Sequence, residues 1–570
     1  MEMFTTRISR RAAFKTGALA AATALLPTGI AEAADNATKP ESSSTRVAAT
    51  PFSSYSKPVV EIDSGKVRGY ISNGVNTFKG IPYGASTGGE RRFLAPVKPA
   101  PWSGIRNCLI YGHACPPVRF STGDGISASA AEEDGYLLYR IAGSQGYSEN
   151  CLLLNVWAPG TDSRKRPVMV YMHGGGYSGG CSNDLLSYDG ENLAKRHDVV
   201  VITHNHRLNL FGFLNFAEYG EKYADSGNVG MLDQVLMLEW VRNNVSSFGG
   251  DPQNVTIFGQ SGGGGKVSTL MAMPAAKGLF HKVIVESGAL NAVKKPDSEL
   301  AAGVLQALAI SPGNIDDIQT VPTERLGAAT FAAMTEIQRK TGKPANSSFA
   351  PIADGKNIPV GSWDKEAPAL SANIPMIIGT NLNEGVNGVD NPARDMDEAT
   401  LMNRLSKAYG DQAEKIAAAY RMEHRKETPF GIWAAVSASD MRRGAIAQLE
   451  KKVALQAAPV YNYVYGWRTP ALDGKPGTFH SAEISMVFDN ADLCVNYSCG
   501  SKEGVALSAN MSRAWTAFAR TGNPNHPGIP HWPAYDVKSP STMFFDSPSA
   551  VRSDFEGPGL RLLAQFPTPA

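Results

Sequence analysis

The sequence predicts an α/β fold, a central and mostly parallel sheet flanked by helices. Three observations carry that prediction. Short apolar, β-branched runs recur along the chain: Val168-Met169-Val170-Tyr171-Met172, Val199-Val200-Val201-Ile202, Val255-Thr256-Ile257-Phe258 and Pro375-Met376-Ile377-Ile378. Continuous apolar runs of this length read as strands buried on both faces. The third run leads into Gly259-Gln260-Ser261-Gly262-Gly263 and then a helix-compatible stretch, Lys266 to Met271. The first leads into His173-Gly174-Gly175-Gly176-Tyr177.

Gly-x-Ser-x-Gly alone is a weak signal, because Gly and Ser are common in loops. Between a strand and a helix it reads as a nucleophile elbow. The glycines let the backbone turn without a Cβ clash. The turn lifts the Ser261 hydroxyl to a helix N-terminus, where unpaired N–H groups favour developing negative charge. A serine hydroxyl still needs a base, an orienting acid and an oxyanion hole.

The glycine triplet after Met172 supplies candidates for the hole. Gly175 and Gly176 are the expected donors, with the N–H of Gly262 as the third. A flexible glycine turn is the bland alternative, and position in the pattern argues against it. The chain order for such a site is Ser, acid, His. Glu384 follows the strand ending near Asn381, and a carboxylate past a strand's C-terminal end is where wound sheets place their sites. Tyr461-Asn462-Tyr463-Val464-Tyr465 reads as another strand, and beyond it lies His480. A lone His is more often a surface or packing residue, but order and context single this one out.

Together these residues resemble type-B carboxylesterases, the group that includes cholinesterases and bacterial p-nitrobenzyl esterases. Further motifs agree. Phe78-Lys79-Gly80-Ile81-Pro82-Tyr83-Gly84 with Arg92-Phe93 resembles the N-terminal block, and Glu149-Asn150-Cys151-Leu152-Leu153-Leu154-Asn155 the Glu-Asp-Cys-Leu-x-Leu-Asn signature. Gly227 to Gln234 and Phe248-Gly249-Gly250-Asp251-Pro252 lead into the elbow as the family's do, and Trp515, Phe518 and Gly522-Asn523-Pro524-Asn525 match its C-terminal block. The resemblance spans about Val59 to Phe545.

The resemblance implies an α/β-hydrolase fold with helical cap insertions, including much of Leu290 to Leu370, that form acyl and alcohol pockets. It implies ester hydrolysis through an acyl-enzyme. Ser261 attacks, His480 relays the proton, and Glu384 orients the imidazole. No cofactor and no metal are expected, and the partner is a small-molecule ester. The rival is a non-catalytic, cholinesterase-like binding protein, against which retention of Ser261, Glu384, His480 and the glycine loop argues.

The chain departs from the family at several points. Gln260 stands where Glu is usual, Gly262 where Ala is usual, Asn150 for the signature Asp and His206 for a Tyr. Gln260 removes a charge that helps cationic substrates. No Trp lies between Cys115 and Cys151, so a choline ester, which needs an aromatic face, is not the expected substrate unless Tyr136 or Tyr147 compensates.

The 570-residue chain carries 43% hydrophobic and 19% charged residues and a net charge of +1. Those values suit a large core and give no argument for nucleic acid or an anionic membrane. Residues 1–33 read as a twin-arginine-type signal peptide: Ser9-Arg10-Arg11, an apolar stretch interrupted by Pro27, then Ala31-Glu32-Ala33. Residues 34–55 read as a disordered linker, and 56–570 as one catalytic domain. The expected location is periplasmic or secreted, with no membrane span after signal removal; oligomeric state is left open.

Six cysteines fit an oxidising compartment. The resemblance implies a Cys115–Cys151 disulfide. Cys494 and Cys499 are close enough for a small second loop, and Cys108 and Cys181 have no assigned partner. No Cys-x-x-Cys or His-x-x-x-His supports a metal site. His204 and His206 read as a strand end and its loop. Gly264-Gly265-Lys266 is not a phosphate loop, because Gln260 and Val267 occupy positions that need Gly and Ser or Thr.

Overall fold

The computed structural model describes residues 51–117, 135–141, 146–342, 349–385 and 388–566. The expected signal peptide and most of the linker lie outside the described residues. The strands are β1 (Val59–Ile62), β2 (Gly65–Arg68), β3 (Tyr70–Ser72), β4 (Val75–Pro82), β5 (Ile105–Asn107), β6 (Leu153–Ala158), β7 (Arg166–Met172), β8 (Val200–His204), β9 (Gly250–Gln260), β10 (Lys282–Glu286), β11 (Met376–Asn381), β12 (Val460–Tyr465), β13 (Ser541–Phe545) and β14 (Ala550–Ser553). An eleven-stranded sheet has the order β14-β13-β12-β11-β10-β9-β7-β8-β6-β4-β3, and β1-β2-β5 form a small separate sheet. From β8 through β7, β9, β10, β11 and β12 to β13 every neighbour is parallel. Both edges are antiparallel. This is an α/β-hydrolase fold.

Alternation along the central strands divides the core in two. Val168, Val170, Met172, Val255, Ile257, Val283 and Val285 pack on one face of the sheet. Met169, Tyr171, Phe258, Ile284, Ile377 and Tyr463 pack on the other. Successive side chains of a strand point to opposite faces. A parallel sheet covered on both faces therefore needs the continuous apolar runs seen in the sequence.

The principal helices are α1 (Val229–Asn244), α2 (Gly262–Leu270), α3 (Glu299–Leu308), α4 (Thr323–Thr341), α5 (Glu398–Tyr409), α6 (Ala413–Glu423), α7 (Pro429–Val453), α8 (Lys502–Thr521) and α9 (Gly557–Leu563). Their ends carry readable signals. Asp397, Thr428 and Ser501 each accept a hydrogen bond from the backbone N–H three residues on. Gly342 and Gly522 terminate α4 and α8 in left-handed conformation.

Two helical insertions interrupt the wound sheet. The expected one, between β10 and β11, supplies α3 and α4, whose Leu300, Val304, Leu305, Leu308 and Leu326 join the main core. The other, α5 to α7 between β11 and β12, was not anticipated. It has its own core of Leu401, Leu405, Ile416, Ala417, Tyr420 and Ile432, which also takes in Leu563 of α9.

The cysteine expectations are corrected here. Cys115 and Cys151 are buried thiols without an S–S bond. They are side by side: the hydrogen bond from Cys115, and then burial, hold the Cys151 thiol well above its ordinary value. Cys494 and Cys499 are not bridged either. They cap opposite ends of the one-turn helix Val495–Ser498, one buried and the other exposed in left-handed conformation, so the short loop turns their side chains into different surroundings.

Candidate active site

The site lies where five adjacent parallel strands end, β7, β9, β10, β11 and β12. β9 ends at Gln260 and α2 begins at Gly262, leaving Ser261 alone at the turn with φ 58° and ψ −126°. A non-glycine residue there is strained by about 1–3 kcal/mol, a cost that the surroundings must offset. Ser261 is pinned on both sides: its N–H donates to the Glu286 carbonyl at 2.8 Å, and its carbonyl accepts from Gly265 N–H at 3.1 Å.

The glycines of the motif have a steric cause. A Cβ on Gly259 would lie 2.5 Å from the Met172 carbonyl oxygen, and one on Gly263 would overlap that same atom. The sequence reading began the helix at Lys266, but the structure begins it directly after Ser261. Four glycines are therefore helical against their low propensity. Close approach explains them, since a Cβ on Gly264 would lie 2.9 Å from Gly288 Cα.

The glycine loop after β7 sits directly on the elbow, because β7 and β9 are neighbours with Met172 opposite Gly259. Gly175 and Gly176 have φ of 86° and 62°. A Cβ on Gly262 would overlap the backbone of Gly176. The departure from Ala at this position is thus matched by a loop seated tightly against it. Among the described residues, the N–H groups of Gly175 and Gly176 have no intramolecular acceptor.

Glu384 and His480 are brought together. Glu384 Oε2 is 2.6 Å from His480 Nδ1. Its Oε1 accepts from the Ser287 hydroxyl at 2.5 Å and the Asn381 N–H at 2.7 Å. The carboxylate is buried with both oxygens occupied, so its orientation is fixed. With Nδ1–H donated to Glu384, the lone pair of His480 resides on Nε2, as a base requires.

Gln260 completes the cluster. Its amide nitrogen lies 3.2 Å from His480 Nε2 and 3.4 Å from Nδ1, and its Oε1 accepts from the Ser481 hydroxyl at 2.9 Å. The residue next to the nucleophile therefore touches the candidate base. Sequence reasoning registered the missing charge at Gln260 but not this contact. It also missed Ser287, although a Ser-Gly pair directly after the β10 run is a signal of the same kind as the elbow.

Beneath these groups are two fully buried carboxyls. Glu286 ends β10 and accepts from Trp515 Nε1 at 2.6 Å; burial, reinforced by Glu483, pushes its pKa up to about 8. Glu483, three residues after His480, accepts from Asn381 Nδ2 at 2.6 Å; burial and then Glu384 push it up to about 7.

His204 ends β8 and His206 follows it, both fully buried, with the His206 ring 4.8 Å from that of His173. Burial holds all three well below the ordinary imidazole range. Tyr136 and Tyr147, the aromatics left open for a stacking role, are both exposed.

Comparison with known proteins identifies the family. A model of the "Carboxylesterase family" matches residues 56–558. The chain is 36% identical to a para-nitrobenzyl esterase of Bacillus subtilis over 506 residues, covering 87% of this chain and 96% of the relative. It is 31% identical to a phenmedipham hydrolase of Pseudarthrobacter oxydans, covering 88% and 98%. A solved esterase from Clostridium hathewayi, described as able to hydrolyse aliphatic aromatic polyesters, superposes with a TM-score of 0.78 at 32% identity, covering 90% and 100%. The chain belongs to the carboxylesterase family and is a carboxylic ester hydrolase.

Proposed function

We propose that this chain cleaves esters through an acyl-enzyme on Ser261, with His480 as base, Glu384 as orienting acid, and the N–H groups of Gly175, Gly176 and Gly262 as oxyanion donors. The observation that carries this reading is the 2.6 Å contact between Glu384 and His480, with His480 resting on the residue beside Ser261. His480 Nε2 takes the Ser261 proton as Oγ attacks the carbonyl carbon. The carbonyl π electrons move to oxygen, and the glycine N–H groups stabilise the charge. Collapse expels the alcohol, which receives the proton from His480. Water then repeats the sequence and releases the acid. Glu384 orients the ring and stabilises the imidazolium.

The acyl-enzyme must admit water, and Gln260 offers no formal charge to a cationic alcohol. Esters of uncharged alcohols are therefore the proposed substrates. A non-catalytic role has no specific observation in its favour. The test is hydrolysis of p-nitrophenyl esters from acetate to decanoate, with Ser261→Ala alongside. Serine-dependent hydrolysis supports the reading, and the chain-length optimum reports acyl-pocket size. Equal rates from Ser261→Ala would overturn it. Export through the N-terminal segment is proposed as well, and activity confined to the cytoplasmic fraction of the native host would refute it.

A further inference from the structure

Lys266 has no role in the reaction as described, yet it is fully buried five residues after the nucleophile. Among the described residues no carboxylate accompanies it. Burial alone lowers its pKa, to about 7. The groups around it are the neutral imidazoles of His173, His204 and His206, and the Tyr177 ring with its centroid 5.8 Å from Nζ. Among the described residues, Nζ has one hydrogen-bond acceptor, the carbonyl oxygen of His173 at 2.9 Å. An ammonium left in such a place is expensive. Its single bond falls on the first peptide of the glycine loop.

The next two carbonyls are held as well. His173 Nδ1 is 2.9 Å from the Gly174 carbonyl oxygen, and the Gly175 carbonyl accepts from Gly179 N–H at 3.0 Å and Ser178 N–H at 3.3 Å. In a trans peptide the carbonyl and the following N–H point in opposite directions. Anchoring the carbonyls of residues 173, 174 and 175 therefore orients the N–H groups of 174, 175 and 176. Among the described residues none of these three N–H groups has an intramolecular acceptor, and those of Gly175 and Gly176 are the proposed oxyanion donors.

We propose that Lys266 is a positioning residue: its hydrogen bond to the His173 carbonyl sets the first peptide of the glycine loop, and thereby aims the oxyanion donors at the carbonyl attacked by Ser261. The inference rests on the assignment of Gly175 and Gly176 as those donors. Lys266 touches neither substrate nor reacting atoms. It acts through the backbone, and its effect belongs to the transition state, where the oxyanion exists.

The test is Lys266→Met, which fits the buried stem and removes the donor, with Lys266→Gln, which keeps an N–H. Three readouts are needed: kcat and KM on p-nitrophenyl butyrate, Ki for a trifluoromethyl ketone whose adduct with serine carries an oxyanion, and the melting temperature. The expected result for Lys266→Met is a kcat lower by roughly tenfold or more, below the ~10²–10³ for outright loss of a donor. Ki for the ketone rises in parallel, KM changes little, and the melting temperature is unchanged or higher because an unpaired buried charge is gone. Lys266→Gln lies between Met and the parent. Unchanged kcat and ketone Ki in Lys266→Met overturn the proposal. So does a fall in melting temperature with kcat and KM both impaired, or a failure of both variants to fold, since each marks a merely structural lysine. Failure of the underlying site assignment is distinguishable: it shows as hydrolysis by Ser261→Ala, whatever Lys266 does.

Discussion

Glu384 and His480 meet at 2.6 Å across loops from two different strands, and the second oxygen of Glu384 is already taken by Ser287 and the Asn381 N–H. The acid cannot rotate away from the histidine without abandoning two donors. Glu384→Gln preserves shape and the Ser287 bond, but loses the charge and favours the wrong imidazole tautomer. We expect kcat to fall by roughly 10³–10⁴ with KM within a few-fold. Steady-state kinetics on p-nitrophenyl butyrate check this, and a loss below tenfold would remove Glu384 from the role.

Gln260 rests against both nitrogens of His480. A carboxylate there would stabilise the imidazolium. The base must be neutral to act, so the acid limb of kcat/KM should move to higher pH in Gln260→Glu, by about one unit. A rate–pH profile of the two proteins decides it; an unmoved or lowered limb contradicts the contact.

Much of this was legible in the sequence, for a physical reason. The parallel strands are buried on both faces, so each appears as an unbroken apolar run, and Ser261, Gly175, Gly176 and Glu384 each follow such a run closely. His480 was harder, because 14 residues separate it from the end of β12; chain order and the strand context singled it out. The α5–α7 insertion escaped because nothing local in its helices says which sheet edge they serve. The supports Ser287 and Lys266 act through contacts between distant segments, which residue spacing does not encode. The cysteine pairs failed differently: proximity in the family or in sequence does not oblige two thiols to join, and Cys494 and Cys499 face different surroundings.

Gly262 is the residue on which Gly176 is seated. Gly262→Ala must push the glycine loop away from the nucleophile. We expect kcat to drop roughly 10- to 100-fold, short of the ~10²–10³ for a lost oxyanion donor, with substrate binding nearly preserved. Kinetics with a matched melting curve check this. Full activity would show that the loop is not seated as described.

Glu286 and Glu483 make stability depend on pH. Burial raises both, reinforced by Glu483 at Glu286 and by Glu384 at Glu483, to about 8 and about 7, above the ordinary carboxylate value of 4.5. A raised carboxyl pKa means that the folded chain holds protons the unfolded chain has released. Stability is then greatest below pH ~4.5 from this source and declines as pH rises toward about 8, by at most ~1.4 kcal/mol per pH unit for each proton. Glu286→Gln keeps an acceptor for Trp515 and cannot ionise. It should flatten that decline and raise the melting temperature at pH 8 relative to the parent. Parallel melting curves across pH 5–9 with the same slope in both proteins would refute the assignment.

The most direct measurement is the mass of the intact protein, and the modified peptide, after treatment with the organophosphate paraoxon. The expected result is one diethylphosphoryl group per chain, on Ser261, with esterase activity lost in proportion to labelling and no label on Ser261→Ala. Labelling of a different residue with loss of activity, or full activity in a protein labelled at Ser261, would contradict it.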